Sequence, residues 1–282
     1  MKRFSPGWHQ AIMRSDNFRR VSHDPLRSNF PVLPWLTHWV DPKIAELIDH
    51  CGIEKELGAG EPIFSSNEKI ASLVLLKSGV TARGLANPDA QSRRACALAT
   101  PNRIAAGNLN FFSHRHAIGR YYTITPAKLV YCPRDLLLSV VRKDIDLFQL
   151  LVTQFELATL SDRLGFACMS LLDASDRLKV LNLIWAVNFG TFVTESGGQW
   201  IKMPVPMGRS VRAQVTGTSV FWVDQTLKKW RSAGLWRCEG DWAWIKTELI
   251  AGVYEWIKSA GEASSDYRYP DAVESLIYEK KN

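Results

Sequence analysis

The chain has 282 residues, 46% of them hydrophobic and 22% charged, a composition that fits one or two folded domains and excludes a disordered chain. No window approaches the roughly 18 uninterrupted apolar residues of a membrane span, and the start, MKRFSPGWHQAIMRSDNFRR, has no apolar core with a cleavage site, so a cytoplasmic location is expected. The net charge of +7 is unevenly placed: residues 1–30 carry six basic and two acidic side chains, residues 204–246 seven and three, and residues 247–282 four and seven. Clustered positive charge is a footprint of polyanion binding, though ordinary surfaces carry it too.

In chain order, residues 1–32 are basic, without a sustained period, and read as an extension. Apolar residues around Ile44, Leu47 and Ile48 fall at helical spacing and predict a short helical entry. From Gly60 to about Cys132 the texture changes to short β-rich runs, EPIF, ASLVLLKSG, VTARGL, RRACALA, RYYTIT and AKLVYC, broken by turn residues such as Gly79, Asn87-Pro88-Asp89, Gly107 and Pro126. Many short strands at regular intervals predict a compact β-barrel or β-roll.

After Pro133 the pattern turns helical, and Leu150, Leu157, Leu164 and Leu171 recur every seven residues. This spacing predicts a long helix with a dimer seam at Leu150, Leu157 and Leu164; a core helix of the same chain would show the same spacing. Leu172-Asp173-Ala174-Ser175 reads as a hinge that caps an amphipathic helix over residues 176–189. TESGGQW then reads as a loop or hairpin.

The densest signal lies in residues 206–245. Residues 209–215 suit a short helix, Gly217 permits a sharp turn, and Thr218-Ser219 can cap a second helix that runs to about Ser232. Val223, Leu227 and Trp230 then face a core, while Val220, Phe221, Asp224, Gln225 and Lys228 fall on the opposite, reading face. LWRCEGDWAWI gives two strands around Glu239-Gly240-Asp241, the layout of a wing. Of the six tryptophans between Trp200 and Trp244, most read as core.

These residues carry a resemblance that covers residues 60–249. Arg209, Gly217-Thr218-Ser219, Leu227-Lys228 and Gly234-Leu235 match the helix-turn-helix of the CRP/FNR (cyclic AMP receptor protein-like) transcription regulators. GEPIF, LLKSG and LLDASDRL resemble that family's early strand motifs and hinge. The resemblance implies an α+β fold: an N-terminal β-roll like cyclic-nucleotide-binding domains over residues 33–141, a dimerisation helix over 142–172 and a C-terminal winged helix-turn-helix over 173–250. Residues 251–282 remain as a C-terminal helix and acidic tail. It further implies a homodimer that binds double-stranded DNA and meets RNA polymerase, with no membrane partner and no enzymatic activity.

The departures are specific. Asn108 stands where nucleotide-binding members have glutamate, and Ile118-Gly119 stand where they have an arginine-serine pair, with Arg120 one place away. A neutral amide and a missing arginine leave ribose hydroxyl and phosphate unmatched, which argues against a cyclic nucleotide and leaves the effector unknown. On the recognition helix, Val220, Phe221 and Gln225 replace the family's charged readers and imply an A·T-rich half-site. Arg209, Ser219 and Lys228 are the phosphate-contact candidates. Arg212 occupies a normally apolar place, which predicts a shifted or weakened first helix.

A winged helix that keeps its shape but acts through protein contacts at Val220, Phe221 and Trp222 is the competing reading, and a regulator that senses another small ligand or haem is the third. His114 and His116 have no third ligand nearby, and the five cysteines form no CxxC pair or zinc-spaced cluster, so no metal, haem, iron-sulfur or other cofactor is expected.

Overall fold

The computed structural model describes residues 32–64, 68–84, 95–117, 119–195, 198–204 and 207–265. Nearly all of the expected N-terminal extension, Asn87-Pro88-Asp89, Ile118 and the end of the acidic tail lie outside the described residues. Two compact units divide the described residues, one of residues 34–165 and one of Val32, Leu33 and the residues from Phe166 onward.

The first unit is a β-roll. Asp41 accepts a hydrogen bond from Lys43 N at 2.9 Å and caps α1 (Pro42–Cys51), which buries Ile44 and Ile48. The strands are β1 (Ile53–Leu57), β2 (Pro62–Phe64), β3 (Ser72–Ser78), β4 (Thr81–Gly84), β5 (Ala95–Ala99), β6 (Arg103–Ala106), β7 (Arg120–Thr123) and β8 (Ala127–Pro133). They form two antiparallel sheets, β1-β8-β3-β6 and β2-β7-β4-β5. In β3, Leu73, Val74, Leu75 and Leu76 are all buried, because one face meets the roll interior and α1 packs on this sheet. That is why LVLL reads as an unbroken apolar run instead of alternating. Gly79 turns β3 into β4 at φ +95°, where any Cβ would lie 2.5 Å from Pro126 O.

After α2 (Arg134–Val141) comes α3 (Ile145–Leu171), which the domain expectation treated as a segment of its own. Its larger part belongs to the roll unit and only its end to the second. Leu151, Gln154, Leu157, Ala158, Ser161, Leu164, Gly165 and Cys168 form one buried stripe along it.

In the second unit, Asp173 accepts from Asp176 N at 2.8 Å and caps α4 (Ala174–Phe189), as the hinge reading expected. α4 is not amphipathic, however. From Val180 to Phe189 every residue is buried, because α7 (Thr247–Ser265) covers a face that the expectation left to solvent. Asn182 and Asn188 survive there by donating to the carbonyls of Leu178 (2.7 Å) and Ile184 (2.6 Å) one turn back. β9 (Thr191–Glu195) and β10 (Gly198–Pro204) form the hairpin, followed by α5 (Arg209–Thr216), α6 (Val220–Ser232), β11 (Trp236–Glu239) and β12 (Trp242–Lys246). The sheet order is β11-β12-β10-β9.

Candidate nucleic-acid interface

α5 and α6 meet through Gly217, which adopts the left-handed conformation at φ 64° and ends α5. Ser219 Oγ accepts from Trp222 N at 3.1 Å and starts α6. Val223 and Trp230 anchor α6 in the core, while Leu227 is only half-buried. Gly240, at φ 57°, closes the two-residue turn between Glu239 and Trp242, so β11 and β12 form the expected wing.

The sequence-derived reading face is brought together on α6. Val220, Phe221, Gln225 and Lys228 are exposed, with Phe221 at 72%. Arg209 and Ser219 are exposed beside them, but neither is uncommitted. Ser219 spends an acceptor on the cap, and Arg209 Nη1 pairs with Asp224 Oδ2 at 2.5 Å. The ion pair ties the start of α5 to the side of α6 and neutralises a cation at the edge of the face.

α5 forms over Arg209–Thr216 with Arg212 inside it, in the place where the sequence led us to expect an apolar side chain. The Arg212 guanidinium is buried, donates to Met207 O (3.4 Å) and Asn182 Oδ1 (3.5 Å), and lies 5.2 Å from the Trp236 ring. Desolvation lowers its pKa to about 10. Long hydrogen bonds and a ring face accommodate the charge where an apolar side chain was expected.

Trp230 and Trp236 are core residues as expected. Trp200 and Trp244 are buried too, and Trp242 is half-buried; Trp242 and Trp244 lie under cations on the other face of the wing sheet, with Lys202 Nζ 4.5 Å from the Trp242 ring and Arg237 4.7 Å from that of Trp244. Strand alternation carries the signal that places Lys202, Arg237, Trp242 and Trp244 on one face.

The dimer seam requires correction. Leu157 (5% exposed) and Leu164 (1%) are buried within the single chain, and Leu150 is half-buried. A heptad of leucines marks a buried stripe without saying what buries it, and here the chain's own interior does. The outward stripe is one face round: Ile145, Val152, Thr159 and Phe166 on one line, Gln149, Glu156, Arg163 and Ser170 on the next, all exposed. Ile145 (75%) and Phe166 (60%) are its largest apolar surfaces.

Inside the roll, Arg83 is buried and paired with Asp162 of α3. Beside that pair lies a cavity of about 10 Å³ lined by Thr37, Arg83, Asn108 and Tyr121 among others. Pockets for drug-sized ligands run to roughly 300–1,000 Å³. Among the described residues no group of three histidine, cysteine or acidic side chains is placed to hold a metal ion, and His114 and His116 are exposed. No helix among the described residues is long and apolar enough to cross a membrane.

No family model and no curated protein matches the sequence. Solved structures do. FixK2 from Bradyrhizobium japonicum aligns over 71% of this chain and 96% of its own with a TM-score of 0.61 at 15% identity. The c-di-GMP responsive global regulator CLP of Xanthomonas campestris aligns over 72% and 97% with a TM-score of 0.58 at 15% identity. A CooA mutant from Carboxydothermus hydrogenoformans aligns over 75% and 90% with a TM-score of 0.56, again at 15% identity. The chain therefore has the fold that the CRP/FNR resemblance implies, far diverged in sequence.

Proposed function

We propose that the protein is a homodimeric DNA-binding transcription regulator that lays α6 in the major groove of a palindromic, A·T-rich site. The observation that carries this reading is the start of α6, where Val220, Phe221, Gln225 and Lys228 stand exposed on a helix fixed from behind by Val223 and Trp230. Val220 and Phe221 press on thymine methyls, Gln225 bonds adenine, and Lys228 with Ser219 meets phosphate. Two copies associate through the outward stripe of α3, centred on Val152, Thr159 and Phe166, which sets two recognition helices about one turn of DNA apart.

In this reading the roll takes no cyclic nucleotide: Asn108 offers no carboxylate, Arg83 is already paired with Asp162, and the cavity described beside them holds about 10 Å³. The protein acts in the cytoplasm beside RNA polymerase, without catalytic chemistry of its own. Mapping its binding sites across the genome and titrating a recovered site against random DNA over a range of salt tests the reading. Site affinity well above random affinity is expected, and equal affinities overturn sequence-specific binding.

The exposed apolar pair Val220 and Phe221, beside a neutralised Arg209, also favours a second reading, an adaptor whose α6 docks on another protein.

A further inference from the structure

Residues 34–41 run ahead of α1 as a strap, a turn at Pro34-Trp35 followed by an irregular stretch, held from two sides. On the roll side, Thr37 N donates to Leu98 O (2.9 Å), Leu98 N to Trp35 O (2.7 Å), and Val40 N to Asn102 O (2.9 Å). Arg103, itself buried, donates to Thr37 O and lies 4.1 Å from the Trp39 ring. On the helix side, Ser161 Oγ donates to Leu36 O (2.9 Å), Gln154 Nε2 donates to His38 O (3.4 Å), and Gln154 Oε1 accepts from Asp41 N (3.4 Å).

Gln154 and Ser161 are thus both spent on the strap from the buried stripe of α3, positions where leucine would serve a plain helix-to-roll contact. Gly165, one turn on, leaves room for Trp35: a Cβ there would stand 2.8 Å from the ring's Cδ1. Trp35 is buried and holds a left-handed φ of 59°, a strain that persists only where the surroundings fix the residue from all sides.

We propose that this strap is a built-in occupant of the groove between roll and helix. It supplies from the chain's own carbonyls and apolar side chains what a diffusible effector would supply, so that roll and helix are joined without one. The inference rests on the geometry of residues 34–165 and stands apart from whether α6 binds DNA. It goes beyond the proposed loss of nucleotide binding, because it names what joins roll and helix.

Hydrogen exchange on the full chain, with protein refolded from guanidinium and so stripped of small molecules, tests it. The amides of Thr37 and Val40 are expected to exchange within about tenfold of those of Leu98 and Asn102, as members of one cooperative unit. Refolded and never-unfolded samples are expected to melt together, with no shift in millimolar cyclic AMP or cyclic di-GMP. Ser161→Ala is expected to speed exchange at Thr37 more than at Val74 in β3; Gly165→Ala does the same if it folds. Strap amides exchanging more than about a hundredfold faster than Leu98, a refolded sample that melts lower, or a nucleotide-induced rise in melting temperature each overturns the proposal. Absence of DNA binding by the wild type would count against the regulator reading alone.

Discussion

Arg209 on α5 and Asp224 on α6 form an ion pair at 2.5 Å, with the arginine largely exposed and the aspartate mostly covered. In water such a pair contributes little stability, roughly 0–1 kcal/mol. Its larger effect is on charge, since Asp224 cancels a cation at the edge of the reading face. Asp224→Asn is expected to release Arg209 to phosphate, to tighten binding to random DNA several-fold and to steepen the salt dependence by about one counterion. Fluorescence anisotropy over a salt series reads both; an unchanged slope shows that Arg209 does not reach the backbone.

Gln225 and Lys228 separate base reading from simple attraction, because both are exposed one turn apart on α6. Gln225→Ala is expected to cost about 1–3 kcal/mol at the recovered site and almost nothing on random DNA. Lys228→Ala is expected to weaken both equally and lower the salt slope by about one. If the double variant keeps full activity in cells, the adaptor reading takes its place.

The two faces of α3 predict opposite phenotypes. Leu164 is buried within the chain, so Leu164→Ala is expected to lower stability by about 2–5 kcal/mol while the protein that remains folded stays dimeric. Phe166 is exposed, and Phe166→Asp is expected to leave monomer folding nearly intact while shifting the dimer to monomer in light scattering. A wild type that scatters as a monomer at micromolar concentration would remove the dimer from the proposed function.

The helix-turn-helix was legible because its signals are local: the Gly217 turn, the Ser219 cap and the spacing of Val223 and Trp230 lie within a few residues of one another. The strands were legible for the same reason. The seam was misread because a seven-residue leucine repeat fixes a face and not its partner, and the partner of Leu157 and Leu164 lies within their own chain. The strap left no trace at all in the pattern. Its contacts with Gln154 and Ser161 span more than a hundred residues, and an irregular segment such as Trp35-Leu36-Thr37-His38 carries no helical or alternating period. The apparent amphipathicity of α4 failed similarly, because α7, which covers it, begins almost sixty residues after α4 ends.

Arg212 is a buried charge that pairs with no carboxylate among the described residues and is carried by two hydrogen bonds of 3.4 and 3.5 Å. Its charged form is desolvated on folding, so the folded state binds this proton less tightly than the unfolded one. The penalty is present in full below about pH 10 and is relieved only as pH climbs from there toward the ordinary arginine value. Arg212→Leu, which restores an apolar side chain to α5, is therefore expected to raise stability by about 1 kcal/mol. The gain should be flat between pH 6 and pH 9, because no part of that titration falls in the window. Loss of the bonds to Met207 and Asn182 works against the gain and sets its small size. Denaturant titration at three pH values measures it. A drop in stability larger than about 1 kcal/mol would instead make the guanidinium, with its stack on Trp236, a structural anchor between α5 and the wing.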